Sequence, residues 1–448
     1  MTSRNGGKIL IDQLLIQGVD RVTCVPGESF LAALDAMHDA DIDVLVCRHE
    51  GGAAIMAETA GKLTGKPGIC FVTRGPGAMN AAHGVHIAQH DSSPMILFIG
   101  QVERAFRGRG AFQEMDYEAV FGSVAKWVVE IDDVKRIPEI VARAFAVATQ
   151  GRPGPVVVSL PEDVLTDIAD VADAPVITPV KPEMSIVQFQ QLEALLQAAQ
   201  RPMIILGGSC WSADGCSAIA DFAARFKIPV ATEFRRTALF PATHPSYAGD
   251  LGFGQNPKLA ERLKSADLLI LLGARMAEVP SAGYTLIDCP TPKQKIVHVF
   301  PDAAEIGRVY PPTLGIVCDP SSFAGSLNWM KAPLDIPWAT ATENAHMDYL
   351  TWTGAPPRIP GDFQYGDAVR QLLAAVPAYW ESGKQQMYRR MGDPTTPSGS
   401  TATGVTRCRA PRPRRPLAAS ATASPPALWP SACSPTAPSS SLPATAAS

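Results

Sequence analysis

The stretch Pro94-Met95-Ile96-Leu97-Phe98-Ile99-Gly100 is apolar at every interior position, so as a strand it has no face to offer water. A strand buried on both faces belongs in a parallel sheet covered by helices on either side. Similar short runs recur at 21–25, 42–46, 68–73 and 155–160, each closed by Gly, Pro or charged residues. Segments with apolar residues at three- and four-residue spacing separate them, at 8–17, 30–37, 51–63, 79–89 and 137–148. The alternation predicts an α/β fold with a parallel sheet.

A Pro- and Val-rich linker at 173–185 precedes a second α/β unit, opened by a helix at 186–199. Strands are expected there at 203–207, 229–232, 268–272, 295–300 and 314–318, with a helix at 214–226 after the first. That order is Rossmann-like, yet the turn Gly207-Gly208-Ser209 lacks the three-glycine dinucleotide fingerprint and no following ribose acid is recognised, which counts against a nicotinamide-dependent dehydrogenase. The boundaries read as 1–172 for the first domain, 173–185 for the linker and 186–335 for the second domain. A loose linker at 353–360 and a helix at 365–375 open a third domain, expected over 361–380. From 381 to 448 the chain is dominated by Ala, Pro, Ser, Thr and Arg, and a tail with so little to bury is expected to be disordered. Its abrupt onset suggests out-of-frame translation as one origin.

With 448 residues, 46% hydrophobic and 18% charged, the chain has the make-up of a soluble globular enzyme of two or three domains. A net charge of −4 gives no reason to expect nucleic acid or an anionic membrane surface. The nine cysteines are scattered without a Cys-x-x-Cys pair, which reads as reduced thiols in the cytoplasm. No apolar run approaches the roughly 18–20 residues of a membrane span.

Chemistry concentrates at two strand-to-helix switches. In Val46-Cys47-Arg48-His49-Glu50-Gly51-Gly52, Glu50 stands at a helix start, where free N–H groups and the macrodipole favour a carboxylate. A helix-capping acid is the plain reading. The second switch, Thr73-Arg74-Gly75-Pro76-Gly77-Ala78-Met79-Asn80, offers bare backbone in a Gly-Pro-Gly loop, and an acid beside it suggests a cofactor pocket. His83, His86 and His90 share one helix at metal-like spacing, but no acid or Cys completes a closed site, so a polar interface face is favoured over zinc.

These motifs carry a resemblance. Residues 8–165 resemble the N-terminal pyrimidine-binding domain of thiamine diphosphate enzymes of the acetolactate synthase group. The matching stretches, in order, are Val25-Pro26-Gly27-Glu28, Arg48-His49-Glu50-Gly51-Gly52-Ala53-Ala54, Thr64-Gly65-Lys66-Pro67-Gly68, Thr73 to Asn80, Ser92-Ser93-Pro94-Met95, Gly100-Gln101-Val102 and Ala111-Phe112-Gln113-Glu114-Met115-Asp116. The stretch 202–320 is similar to the family's central domain. The resemblance implies that Glu50 hydrogen-bonds the cofactor's aminopyrimidine and so activates its thiazolium carbon. It implies further that Pro26, Gly27, Thr73, Gly75, Pro76, Gly77 and Asn80 form the pyrimidine pocket; burial against Ala53, Ala54 and Ile55 would shelter the Glu50 carboxyl and keep it able to donate. Phe112 and Gln113 would reach a partner subunit's active centre, while Lys126 is left without a role.

The implied reaction is carboligation or decarboxylation of 2-oxo acids by a homodimer or homotetramer with thiamine diphosphate and Mg2+. The family's Gly-Asp-Gly magnesium motif is missing, because Gly249-Asp250, Gly361-Asp362, Gly366-Asp367 and Gly392-Asp393 all lack the third glycine. No metal ligand is therefore assigned, the chain is expected to be truncated, and its activity impaired. A non-catalytic fragment that only dimerises and a 2-oxo acid decarboxylase remain the alternatives. Gly273-Ala274-Arg275-Met276-Ala277-Glu278 stands where some relatives contact flavin, but the acidic pair after the arginine is absent, which speaks against FAD.

Overall fold

The computed structural model describes residues 3–354, and the expected helix at 365–375, the third-domain start and the tail lie outside them. The first unit runs β1 (Arg4–Asn5), α1 (Gly6–Ile16), β2 (Arg21–Cys24), α2 (Leu31–His38), β3 (Asp43–Val46), α3 (Glu50–Thr64), β4 (Gly68–Val72) and α4 (Gly75–Asp91). It continues through β5 (Met95–Gln101), α5 (Tyr117–Phe121), β6 (Trp127–Glu130), α6 (Ile137–Thr149), β7 (Pro155–Pro161), α7 (Glu162–Thr166) and β8 (Ile168–Ala169). Six strands form a parallel sheet in the order β3-β2-β4-β5-β7-β6, and β1 and β8 pair antiparallel beside it. As its sequence demands, β5 is buried along its whole length. Phe71 and Phe98 stack at 4.7 Å between ring centroids on one face, and Ala53, Ala78 and Phe121 close the other. The strand β6 was not expected: Trp-Val-Val-Glu is short, half-buried, and held at the sheet edge by pairing with β7 and by packing of Trp127, Val128 and Val129 on the core.

The second unit contains α8 (Ile186–Ala198), β9 (Pro202–Leu206), α9 (Ala213–Phe226), β10 (Val230–Glu233), β11 (Tyr247–Leu251), α10 (Pro257–Ser265), β12 (Leu268–Leu272), β13 (Lys295–Phe300), β14 (Leu314–Val317), α11 (Pro320–Ser326) and α12 (Ala339–Gly354). Its sheet is also parallel, in the order β11-β10-β9-β12-β13-β14. The edge strand β11 escaped the sequence because Gly249 and Asp250 are poor strand formers, and it is held by pairing with β10. Thr353 and Gly354, read as linker, belong to the last turn of α12.

The segment between β8 and α8 has no regular structure, but it is strapped down. Gln13 donates to Ala174 O and accepts from Ala174 N, while Arg4 pairs with Asp173 at 2.8 Å. The two units meet at the C-terminal end of α4. Asp91 there pairs with Lys62 at 2.6 Å and with Arg235 of the second unit, and Ser209 donates to Ser92 O at 2.5 Å. A second tie, Arg152 to Glu305 at 3.2 Å, is nearly buried.

Candidate functional site

In the first sheet the strand order reverses between β2 and β4, and in open parallel sheets ligands lie outside the carboxyl ends of the strands at such a point. Pro26 and Gly27 follow β2, Thr73 and Gly75 follow β4, and Glu50 follows the neighbouring β3. The switch point thus brings together residues that the motifs singled out separately. The approach is tight: a Cβ on Gly27 would lie 2.5 Å from Thr73 Cβ, and Thr73 Oγ1 is 3.0 Å from Ser29 Oγ.

Glu50 is the first residue of α3, but it does not cap the helix. His49 does so, its Nδ1 accepting from Gly51 N at 3.1 Å. Released from that task, the Glu50 carboxyl turns to α4, where Asn80 Nδ2 donates to Oε2 at 2.9 Å. The other oxygen, Oε1, faces Gly77, where a Cβ would stand 3.4 Å from it. Glycine at 77 therefore leaves space on the free side of the carboxyl. The expected shelter is only partial: Ala53 and Ala54 are fully buried, whereas Ile55 points outward, 37% exposed, and Glu50 is half-buried.

Gly75, Pro76 and Gly77 are not a loop but the first turn of α4, which begins four residues earlier than expected. Proline is tolerated there because a first-turn N–H has no partner within the helix. Gly75 N donates to Gln113 O at 3.1 Å, so the loop after β5 is docked on the start of α4. Gln113 holds a left-handed backbone, φ 62°, and Phe112 beside it projects 71% exposed. Among the described residues the hydrogen bond to the Glu50 carboxyl comes from Asn80 rather than from this loop.

His83, read as part of a polar interface face, and Arg74 and Lys126, which carried no assignment, all make contacts within the chain. His83 rests against the start of α3, where a Cβ on Gly51 would lie 2.2 Å from its Cε1. Arg74, nearly buried, pairs with Glu162 at 2.5 Å. Lys126 donates to Val147 O and Gln150 O at the end of α6, and burial lowers its pKa to about 8. His86 and His90 face each other at 3.0 Å, and among the described residues no group of three His, Cys, Asp or Glu is placed to hold a metal. Desolvation raises the thiol pKa of both Cys24 and Cys47. No described helix is long and apolar enough to cross a membrane.

Residues 4–120 match the family model described as "Thiamine pyrophosphate enzyme, N-terminal TPP binding domain", and residues 189–327 match "Thiamine pyrophosphate enzyme, central domain". The chain belongs to the thiamine pyrophosphate enzymes. Its relatives include acetolactate synthase isozyme 2 large subunit of Escherichia coli, 33% identical over 68% of this chain and 55% of the relative. The isozyme 1 large subunit of the same organism is 32% identical over 70% of this chain and 56% of its own length. Acetolactate synthase of Bacillus subtilis is 30% identical over 71% of this chain and 56% of its own. The chain spans about half the length of the curated relatives it matches.

The pyrimidine half of thiamine pyrophosphate fits what is built here: a half-exposed carboxyl with one oxygen tied and the other beside a glycine, at a sheet switch point. The diphosphate half finds no counterpart among the described residues. Of the Gly-Asp pairs, Gly249-Asp250 is described, and it lies within the edge strand β11, away from any helix start.

Proposed function

We propose that this chain supplies the proton-activating half of a thiamine diphosphate site, serving acetolactate synthase-like carboligation or decarboxylation of a 2-oxo acid. The cofactor, when bound, supplies the carbon nucleophile that attacks the 2-oxo acid. Glu50 holds a proton at Oε1 against the aminopyrimidine ring, and Asn80 fixes the carboxyl through Oε2 so that this geometry is kept. The turns at Pro26-Gly27 and Gly75-Pro76-Gly77 let backbone approach the ring closely, with Thr73 between them. Phe112 and Gln113 extend toward the active centre of a partner copy, consistent with a homodimer or homotetramer. Mg2+ would be needed with the diphosphate, and its ligands have to come from elsewhere than residues 3–354. Without them the activity of this chain is impaired.

The observation that carries the reading is the pairing of Glu50 with Asn80 at 2.9 Å while His49 takes over the cap. The test is deuterium exchange at the thiazolium C2 of thiamine diphosphate with Mg2+, followed by proton NMR with and without the full chain. The chain should accelerate exchange, and Glu50→Gln should remove about 10²–10⁴-fold of that effect while leaving the circular dichroism unchanged. Absence of any acceleration by the wild-type chain, or equal acceleration by Glu50→Gln, overturns the assignment.

A further inference from the structure

The second sheet has the strand order of a dinucleotide-binding fold, reversing between β9 and β12. In such a sheet a diphosphate sits on the helix start after the first strand, and an acid ending the second strand holds the ribose. That acid, which the sequence reading found missing, is present: Glu233 ends β10. Its carboxylate does not face a ligand. It crosses the end of β9 to the loop after β12, where Oε1 accepts from Arg275 N at 2.9 Å and from Met276 N at 2.6 Å.

Those two successive N–H groups, with Met276 in a left-handed backbone (φ 49°), form the kind of concavity that takes an anion. The group it holds is the chain's own Glu233 carboxyl. Glu233 also covers the first glycine turn: a Cβ on Gly207 would lie 2.1 Å from Oε2. Beneath it the two glycine turns touch, since a Cβ on Gly208 would lie 2.3 Å from Gly273 O. The helix start is occupied as well. Ser212 Oγ accepts from Gly215 N at 3.1 Å, and Ser321 covers the same turn, accepting from Ser212 N at 2.7 Å.

We propose that Glu233 is a built-in plug whose carboxyl closes the crevice of the central domain to dinucleotides, so that this domain takes neither flavin nor a nicotinamide nucleotide. The residues around the switch point do not fit FAD, because Glu233 takes the Arg275 and Met276 N–H groups and covers Gly207, and Ser212 takes the helix start; the cavity that remains beside them, lined by Gly208, Arg235, Arg236 and Arg275, lacks those anchors. Shortening the acid should reopen the Arg275–Met276 nest to a nucleotide diphosphate.

The experiment uses the full chain, titrated with FAD by flavin fluorescence and with ADP by calorimetry. Wild type should saturate with neither in the micromolar range, and folded Glu233→Ala should bind ADP at least about tenfold more tightly than wild type. Micromolar saturation of the wild-type chain by FAD or ADP overturns the proposal, as does a folded Glu233→Ala with no gain. Should that variant not fold, Glu233→Ser shortens the side chain while keeping it polar. At least about a fivefold gain in its ADP affinity supports the proposal, and none overturns it.

Discussion

Gly84→Ala should loosen the site without touching it. Gly84 lies on α4 one turn beyond Asn80, and a Cβ there would stand 2.5 Å from Ala54 Cβ and 2.9 Å from Ala54 C on α3. Carbon atoms sit comfortably at about 3.5–4.0 Å, so the helices must part by about 1–1.5 Å or the backbone must distort. Overpacking of this kind costs about 1–3 kcal/mol. A shift of about 1 Å also takes the Asn80–Glu50 hydrogen bond, now 2.9 Å, beyond bonding distance, at a further cost of about 1 kcal/mol. Alanine's better helix propensity returns about 1 kcal/mol, leaving a net loss of about 1–3 kcal/mol. The control is Gly52→Ala on α3, where a Cβ meets nothing within 4 Å, and the same propensity should stabilise by about 0.5–1 kcal/mol. Urea unfolding followed by far-ultraviolet circular dichroism compares the two variants with wild type. If Gly84→Ala is as stable as Gly52→Ala, the close approach of α3 and α4 is not what positions Glu50.

Two further outcomes test other parts of the fold. Burial holds the His298 pKa at about 4, against 6.5 for a free side chain, with its Nε2 beside Ala274 O. Below pH 6.5 the unfolded chain binds a proton that the folded histidine refuses, so stability should fall by about 3 kcal/mol between pH 6.5 and 4. Urea midpoints of His298→Gln over that range should lack this component; identical slopes would contradict it. Asp91→Asn leaves Lys62 and Arg235 facing each other across the seam, and because Arg235 is partly exposed the loss should be about 1–3 kcal/mol. The variant should also be cut faster within 173–185 under limited proteolysis, and an unchanged rate would show that the seam does not depend on this acid.

Much of the fold was legible because burial on both faces leaves a mark in one dimension. The runs at 68–72, 95–101 and 155–161 are apolar but for Gln101 and Ser159, and all three became central parallel strands. Edge strands leave no such mark. β6 and β11 carry charged, glycine or half-exposed residues and owe their conformation to a neighbour, and both went unrecognised. The start of α4 was misread for a related reason: Gly-Pro-Gly looks like a loop locally, while its docking to Gln113 O and the fit of Gly77 beside Glu50 are long-range facts. Within the candidate site, the motif residues around Glu50 were visible, but the division of labour between His49 and Glu50 was not.

The sequence by itself determined the α/β class, the two parallel sheets, and which motifs stand at strand ends. Those follow from the periodicity of burial and from turn chemistry, which act between near neighbours in the chain. Only the tertiary structure decided what the acids do. Glu50 meets Asn80 thirty residues away instead of capping its own helix. Glu233 meets Arg275 and Met276 across the ends of two strands instead of waiting for a ribose. A carboxylate goes to whichever N–H groups the fold leaves unpaired within reach, and that reach is a property of three dimensions.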